Sequence, residues 1–503
     1  MKTPFIPRGC ANSRSRQRGI TMALIAISMV AIIAMAALSI DVITLYLAKE
    51  EAQRSVDSAA IAAAKILSVS GITGDPQNIT GNWLQICGPD DGVNGLATRV
   101  AKAVAAQNSI GTLAVITPTV TYSAGTGGSI TSSSDCRSLA TTTAFGLNPM
   151  VTVQLTQTGL PTFFSRIWGY SGQQVSATAV AEAFNPSNSG VQGNQETGTI
   201  IPVNPRCAKP WIVPNQDPGN PPGGTLCTGG SAGSCTTFVN LNTGAITHGG
   251  ISTGGTSASG VIGETFWLVP DCTSAGSGCT LINPTPQANS SPATLPPGTA
   301  TLQYVPNQVG SPVIGIPSCS TGNGYEEAIE GCDQPTNYSC GVQAPGGGNI
   351  ADLTISPAVP TTTGVSCLIH QGDTGTTTAS TGQDYLSPFG APSAFPFQIL
   401  AGSSNPLLSA GLTSGSPVSV SASLVTLPIY DNSVTLTNTQ PLNNVTFVGF
   451  LEVFINAVDA NGDINVTVIN VAGCSNGNAA NPDPVGSPVI GNSAVPVRLI
   501  NNP

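Results

Sequence analysis

The chain of 503 residues is too long for one ordinary domain, and its charged fraction of 8% is unlike that of a cytosolic enzyme. It has 15 Lys and Arg against 25 Asp and Glu, with no base between Lys209 and Arg498, which excludes nucleic acid as a partner because phosphate binding needs a basic surface. The 58 Gly and 40 Pro favour strands and long connections beyond the first third, while 40% hydrophobic residues exclude wholesale disorder.

A basic tail, residues 1–18, precedes a long uncharged run. The tail holds five of the 15 bases and no acid, and Ile20 to Ile40 carries no charge. A run of this length is enough to cross a hydrocarbon core about 30 Å thick. The excess of bases predicts a cytoplasmic tail and an exported body, with topology set by Arg14, Arg16 and Arg18. A cleaved secretory signal is the alternative, although its apolar region is normally only about 7–15 residues.

The helix is predicted to continue beyond the membrane, over residues 19–70, because no Pro and no further Gly interrupts the chain before Gly71. Small apolar residues recur at helical spacings along one face of its second half. Such a shallow face lets another backbone approach closely, which predicts helix packing against another envelope protein. The residues predicted to make this contact are Ala52, Val56, Ala59 and Ala63.

The remaining chain divides by composition. Residues 75–185 read as a small α+β unit, with a helix in "GVNGLATRVAKAVAAQNS" and strands in "MVTVQLTQT" and "QQVSATAVAEAF". Residues 186–200 are a polar linker, and residues 201–503 have the short strands of a β-sandwich or irregular β region, with a hairpin turn at Asn461-Gly462. The predicted fold is therefore α+β: a transmembrane helix extending into a long exported helix, a small α+β unit and a mainly-β, disulfide-braced C-terminal region.

Cysteine usage agrees with export. Cys10 lies in the tail, and the other twelve of the 13 cysteines lie beyond the anchor. An even number there is typical of disulfides formed in an oxidising compartment. Near neighbours in the sequence give the simplest pairs, namely Cys227 with Cys235, Cys272 with Cys279 and Cys332 with Cys340.

Residues suited to catalysis or metal binding are sparse. The C-x-x-H pair Cys367 and His370 is half of a zinc site, and an exported cysteine is expected in a disulfide instead. The stretch "DANGDIN" (459–465) imitates a calcium loop, but its residues are also good turn formers. The acidic cluster "EEAIEGCD" (326–333) reads as a solvated helical turn. We therefore predict no catalytic residue, no metal, no cofactor and no enzyme activity.

The N-terminal segment resembles the TadE/TadG-like proteins of the Tad (Flp) pilus-assembly family. The resemblance rests on "RQRG" at 16–19, the uncharged run, Asp41, Tyr46 and the D-A-A-A-L-A-like signature "DSAAIA" at 57–62. The segment from Met150 to Ala183 is similar to the periplasmic segment that comes after the anchor in such proteins, so the resemblance covers about residues 16–185.

The resemblance implies a non-catalytic structural component of a Tad/Flp pilus-assembly or related secretion apparatus. It would sit in the bacterial inner membrane with a single pass, a cytoplasmic N-terminus and a periplasmic or extracellular body. Its implied partners are the lipid bilayer and other pilus-assembly or envelope proteins. A surface adhesin with a β-rich ligand platform is the alternative, and an anchored exported enzyme is disfavoured by the missing site chemistry.

Overall fold

The structure of the chain is a computed structural model. It describes residues 14–74, 83–92, 94–124, 132–136, 139, 149–162, 164, 169, 172–185, 203–219, 235–241, 244, 246–248, 260–271, 273–274, 279–280, 288, 295–307, 309–320, 322, 324–336, 338, 340–342, 357–372, 382–388, 397–433, 445–474 and 489–500. The predicted linker, 186–200, and most of the predicted tail lie outside these residues.

The first helix confirms the prediction of one uninterrupted helix. It is α1, Arg14–Val69, and it runs through the apolar segment and on into the body without a break. A short 3-10 turn, Ile72–Gly74, follows it. The further helices among the described residues are α2 (Trp83–Cys87), α3 (Leu96–Ala106), α4 (Gly324–Glu330) and α5 (Ala358–Leu368), and a second 3-10 turn spans Pro406–Ala410.

The part next to α1 contains a five-stranded sheet of order β23-β6-β5-β3-β4. Its strands are β3 (Thr119–Ala124), β4 (Ser132–Ser133), β5 (Pro149–Leu160), β6 (Gln173–Ala183) and β23 (Val497–Ile500), and a small hairpin of β1 (Ser109–Ile110) and β2 (Leu113–Ala114) precedes them. Alternation buries one face of β6, and the second half of α1 packs against β6, β5 and α3. The predicted α+β arrangement is confirmed.

The C-terminal region is mainly β, as predicted, but its largest sheet closes on itself. The order β15-β20-β19-β8-β12-β9-β21, with a further pairing of β21 to β20, makes a six-stranded barrel joined at one edge by β15. The strands are β8 (Trp211–Pro214), β9 (Thr265–Pro270), β12 (Thr301–Pro306), β15 (Gly341–Val342), β19 (Leu424–Tyr430), β20 (Thr446–Val458) and β21 (Ile464–Gly473).

The sandwich alternative is therefore wrong for this sheet, because β20 and β21, the two end strands of the six-stranded part, are hydrogen-bonded to each other. The long strand β20 pairs with β19 on one side and β21 on the other. Its ladder with β21 is irregular at Glu452/Val453 and at Ile455/Ala457. Such bulges increase the local twist and bend a strand, which allows the sheet to curl closed.

The hairpin between β20 and β21 confirms the turn predicted at Asn461-Gly462. The Asp459 carboxylate accepts hydrogen bonds from the backbone N–H groups of Asn461 and Asp463, at 2.8 and 3.0 Å. Gly462 has a φ of 79°, a conformation that favours glycine. These residues therefore act as turn formers, which is the interpretation that the sequence favoured over a calcium loop.

The C-terminal region also contains short strand pairs outside the barrel. β7 (Val203–Pro205) pairs with β22 (Val489–Gly491), β10 (Thr273–Ser274) with β11 (Cys279–Thr280), and β13 (Val313–Ile314) with β14 (Cys332–Asp333). A three-stranded sheet has the order β16 (Tyr385–Pro388), β17 (Phe397–Leu400) and β18 (Pro417–Val418).

The disulfides correct one of the predicted pairs. Cys332 is bonded to Cys207 and Cys340 to Cys474, so the pair Cys332–Cys340 is wrong. The reason is tertiary: β15 pairs with the start of β20, which brings Cys340 beside the end of β21. Cys87–Cys136 and Cys319–Cys367 are also bonded, and Cys235 is in a disulfide. Cys227, Cys272 and the Cys279 side chain lie outside the described residues.

The two halves of the chain share strands and hydrogen bonds. The last strand, β23, leaves the C-terminal region and pairs with β6 in the sheet beside α1. At the far end of α1, Asn470 of β21 donates to the Ser68 carbonyl at 2.8 Å and accepts from the Thr73 hydroxyl at 3.0 Å. The Ser68 hydroxyl donates to the Val495 carbonyl at 2.9 Å. The helix is therefore built into both halves of the body.

Candidate functional site

The first half of α1 is largely exposed, and we call it the bare half. From Ile20 to Leu47 its large apolar side chains, except the partly buried Leu45, are between 46% and 76% exposed. Among the described residues, one helix is long and apolar enough to cross a membrane, and its most apolar 18-residue window has a mean hydropathy of 2.6 with only 6% of it buried. A helix that is apolar all round and uncovered by its own protein needs another apolar environment, which a bilayer supplies.

The basic residues before this segment form the start of the same helix. α1 begins at Arg14, so Arg14, Arg16 and Arg18 lie on its first turns. Their side chains lie outside the described residues. Their role in setting the topology therefore stays a prediction.

Asp41 marks the place where the bare half of α1 meets the body. Its side chain is only 4% exposed, although it directly follows the uncharged run. Both carboxylate oxygens accept from the backbone N–H of Phe164, at 3.1 and 3.3 Å. This contact ties the connection between β5 and β6 to the helix and satisfies a carboxylate that would be costly to bury unpaired. The sequence signal was the isolated acid at the end of the apolar run.

The small-residue face of α1 has a different partner from the one expected. Ala52, Val56, Ala59 and Ala63 are fully buried, and all four belong to the core of the chain itself. The expected contact with another envelope protein is corrected: this face packs within the body, because small side chains on β6 let the helix approach the sheet. The buried face of β6 consists of Val175, Ala177, Ala179, Ala181 and Ala183.

Polar residues flank this packed face and attach it to the body. Gln53 donates to the Thr178 carbonyl at 3.1 Å, and Lys49 donates to the Ser176 carbonyl. The Glu51 carboxylate accepts from the backbone N–H of Gly111 at 2.7 Å. The second half of α1 is therefore held by hydrogen bonds to two neighbouring elements as well as by its apolar packing.

The opposite side of α1 remains open to solvent. The Arg54 side chain is 81% exposed and pairs with Glu50 at 3.8 Å, while Ile61 is 42% exposed. An exposed pair of this kind contributes little to stability. This side, together with the bare half, is the helix surface available to other molecules.

The acidic cluster at 326–333 is not the solvated turn that was expected. Glu326 and Glu330 are each only 4% exposed, because α4 packs against α5 at Gly364. Beside them the buried Lys209 ammonium donates to the carbonyls of Ile329 and Gly331, at 2.6 and 2.9 Å. Burial lowers the pKa of Lys209 to about 8, against the opposing effect of Glu330. The ammonium thus satisfies carbonyls at the end of α4.

The C-x-x-H pair also has a structural explanation. Cys367 is bonded to Cys319, so it lies in a disulfide, which the sequence favoured over a zinc site. Within the part of the chain that the structure describes, no group of three or more possible metal ligands comes together.

Comparison with known proteins identifies the helix as the informative segment. Residues 19–65 match the family described as putative Flp pilus-assembly TadE/G-like. The predicted resemblance is confirmed over these residues, which run from the start of the apolar segment into the packed half of α1. Beyond residue 65 it stays a prediction. No curated protein and no solved structure matches the chain.

Proposed function

We propose that the chain is a membrane-anchored, non-catalytic structural component of a Tad/Flp pilus-assembly or related secretion apparatus. One observation carries the proposal: the residues that match the Tad-like family, 19–65, are the same residues that form the bare half of α1 and most of its packed half. The non-catalytic role is supported by the assembly function in the family's description.

The proposed location is the bacterial inner membrane, crossed once, with the N-terminus in the cytoplasm and the body periplasmic or extracellular. The basic tail supports this orientation through the positive-inside rule. The disulfides in the body support an oxidising compartment on the far side.

The proposed mechanism is rigid attachment. The 56 residues of α1 reach roughly 84 Å at about 1.5 Å per residue. No Pro or internal Gly offers a hinge between the lower half, in lipid, and the upper half, inside the body. Hydrogen bonds from Asp41 at one end to Ser68 at the other fix the helix to the body. A force applied to the body is therefore passed to the anchor without a flexible link.

The proposed partners are the bilayer and other pilus-assembly or envelope proteins. Because the alanine face is covered by the body, these proteins would contact the bare half of α1, its open side near Arg54 and Ile61, or the outer surface of the body.

Deletion of the gene in the host cell tests the proposal. We expect cells without surface pili by electron microscopy and restoration of pili by the full chain. Normal pili with a loss of surface binding would contradict the proposal and favour the adhesin.

A further inference from the structure

The exposed apolar surface of α1 is longer than a hydrocarbon core. From Ile20 to Leu47 the helix rises about 40 Å, whereas the hydrocarbon core is about 30 Å thick and the bilayer with its headgroups about 40–45 Å. The excess lies at the body end, where Val42, Ile43, Tyr46 and Leu47 are 57%, 58%, 64% and 53% exposed. We call these four residues the collar.

The body begins before this apolar surface ends. Ala37 is already only 6% exposed, and Asp41 is hydrogen-bonded to the connection that joins β5 to β6. Higher up, Gly111 of the β1–β2 hairpin lies against Ala48: a methyl group on Gly111 would be 3.7 Å from the Ala48 Cβ. The collar and this end of the body therefore lie at the same height along the helix.

We call this end of the body the lower rim. It consists of the β1–β2 hairpin, the residues after it up to Ile116, and the adjoining ends of β5 and β6. The backbone N–H of Ile116 donates to the Gln157 side chain of β5 at 3.0 Å, which places Ile116 on the rim. Its side chain is 43% exposed, so an apolar residue of the body itself is uncovered here.

The charge distribution of the rim differs from that of the rest of the body. The chain has no charged residue between Lys102 and Asp135, and between Arg137 and Glu182 its only charged residue is Arg166. Yet the sequence beyond the tail holds 25 acids and only ten bases. Exposed charge is usual where a protein meets water, whereas a partly apolar surface whose own segments carry no acid suits contact with anionic headgroups. The acid beside it, Glu51 of α1, is hydrogen-bonded to Gly111.

We propose that the collar and the lower rim lie in the lipid headgroup region, so that the body rests on the bilayer instead of standing clear of it. Lipid is the occupant because the collar continues the membrane helix without a break and has the length that the headgroup layer requires. Tyr46 is an amphipathic aromatic residue of the type enriched at this depth. The proposal rests on the proposed anchoring.

The consequence is a second membrane contact beside the transmembrane helix. A body seated on lipid has a fixed tilt as well as a fixed anchor, because both the helix and the rim meet the surface. The side of the body that faces neighbouring envelope proteins is then also fixed.

Spin-label accessibility in lipid nanodiscs tests this inference. Single cysteines replace Ile43, Leu47 and Ile116 in the full chain carrying Cys10→Ser, reconstituted in phosphatidylethanolamine and phosphatidylglycerol. Val30→Cys gives the hydrocarbon reference, and Ile61→Cys gives the aqueous reference on the same helix. Power saturation then compares accessibility to oxygen, which concentrates in lipid, with accessibility to a water-soluble nickel chelate.

We expect the oxygen-to-nickel ratio at Ile43, Leu47 and Ile116 to be at least roughly threefold higher than at Ile61, and lower than at Val30, as a headgroup depth requires. Ratios equal to that of Ile61 would overturn the inference, because they place the rim in water. Protection from both reagents would also overturn it, since protein would then cover the collar. A nickel-accessible Val30 would instead refute the anchoring itself, which separates the two failures.

Discussion

Leucine substitutions on the small-residue face of α1 test whether that face belongs to the core of the chain. Ala59 and Ala63 are fully buried one turn apart, on the side of the helix that packs against β6, β5 and α3. Replacing either by Leu adds three carbon atoms where the helix meets the alanine-rich face of β6. We expect Ala59→Leu and Ala63→Leu to weaken the fold of the whole body, and hence any function that depends on it.

The magnitude follows from overpacking. Adding a larger side chain to a well-packed core costs typically about 1–3 kcal/mol. The intrinsic helix propensity of Leu is close to that of Ala, so the helix itself changes little. Because the two positions are neighbours, their effects are coupled, and we expect the double variant to lose roughly 2–4 kcal/mol of the free energy of unfolding.

The assay is chemical unfolding of the detergent-solubilised chain, followed by tryptophan fluorescence. Ser58→Leu is the matched control, since it introduces the same side chain at an exposed position next to Ala59. We expect the control to stay within about 0.5 kcal/mol of the natural chain. If Ala59→Leu unfolds at the same denaturant concentration as Ser58→Leu, the face is not packed within the body and the reasoning fails.

Three further predictions concern the body. Asn470→Ala removes hydrogen bonds to the Ser68 carbonyl and to buried Glu452. We expect it to lower the free energy of unfolding by about 2–4 kcal/mol and to speed hydrogen exchange at the end of α1. Unchanged exchange there would contradict the coupling of helix and barrel. Peptide mass spectrometry of the unreduced chain should find Cys340 linked to Cys474, and a Cys332–Cys340 peptide would refute this pairing. Burial raises the pKa above the ordinary value of 10 for five tyrosines, namely Tyr122, Tyr304, Tyr325, Tyr338 and Tyr430. Their contribution to stability is therefore complete below pH 10 and is lost as the pH rises further, so the denaturant midpoint should fall above pH 10 together with tyrosine ionisation. A midpoint that stays level to pH 11 would contradict their burial.

Local signals in the sequence were sufficient for the elements that depend on local physics. The uninterrupted helix follows from the absence of Pro and Gly between Ile20 and Ser70, and the β20–β21 hairpin follows from Asn461-Gly462 between two apolar strands. The anchor is also local, because an uncharged run of membrane length needs no tertiary information. The Tad-like resemblance lies in the same segment, which is why it could be found before the fold was known.

The missed features all depend on contacts between distant parts of the chain. Barrel closure depends on β21 meeting both β20 and β9. The partner of Cys340 depends on where β15 docks. An alanine stripe has the same sequence pattern whether it packs on a neighbouring protein or on a sheet of its own chain. Only the position of β6 decides between the two. The burial of Glu330 likewise depends on the approach of α5 at Gly364.

We propose that this chain serves pilus assembly through its anchored helix. The most direct test replaces residues 19–40 by a cleavable signal peptide in a strain that lacks the natural gene, and counts pili by electron microscopy. Release of the body, with Cys340 still linked to Cys474, would show that export and folding are intact. We predict that such cells carry no pili, whereas the natural chain restores them. Normal piliation by the released body would contradict it.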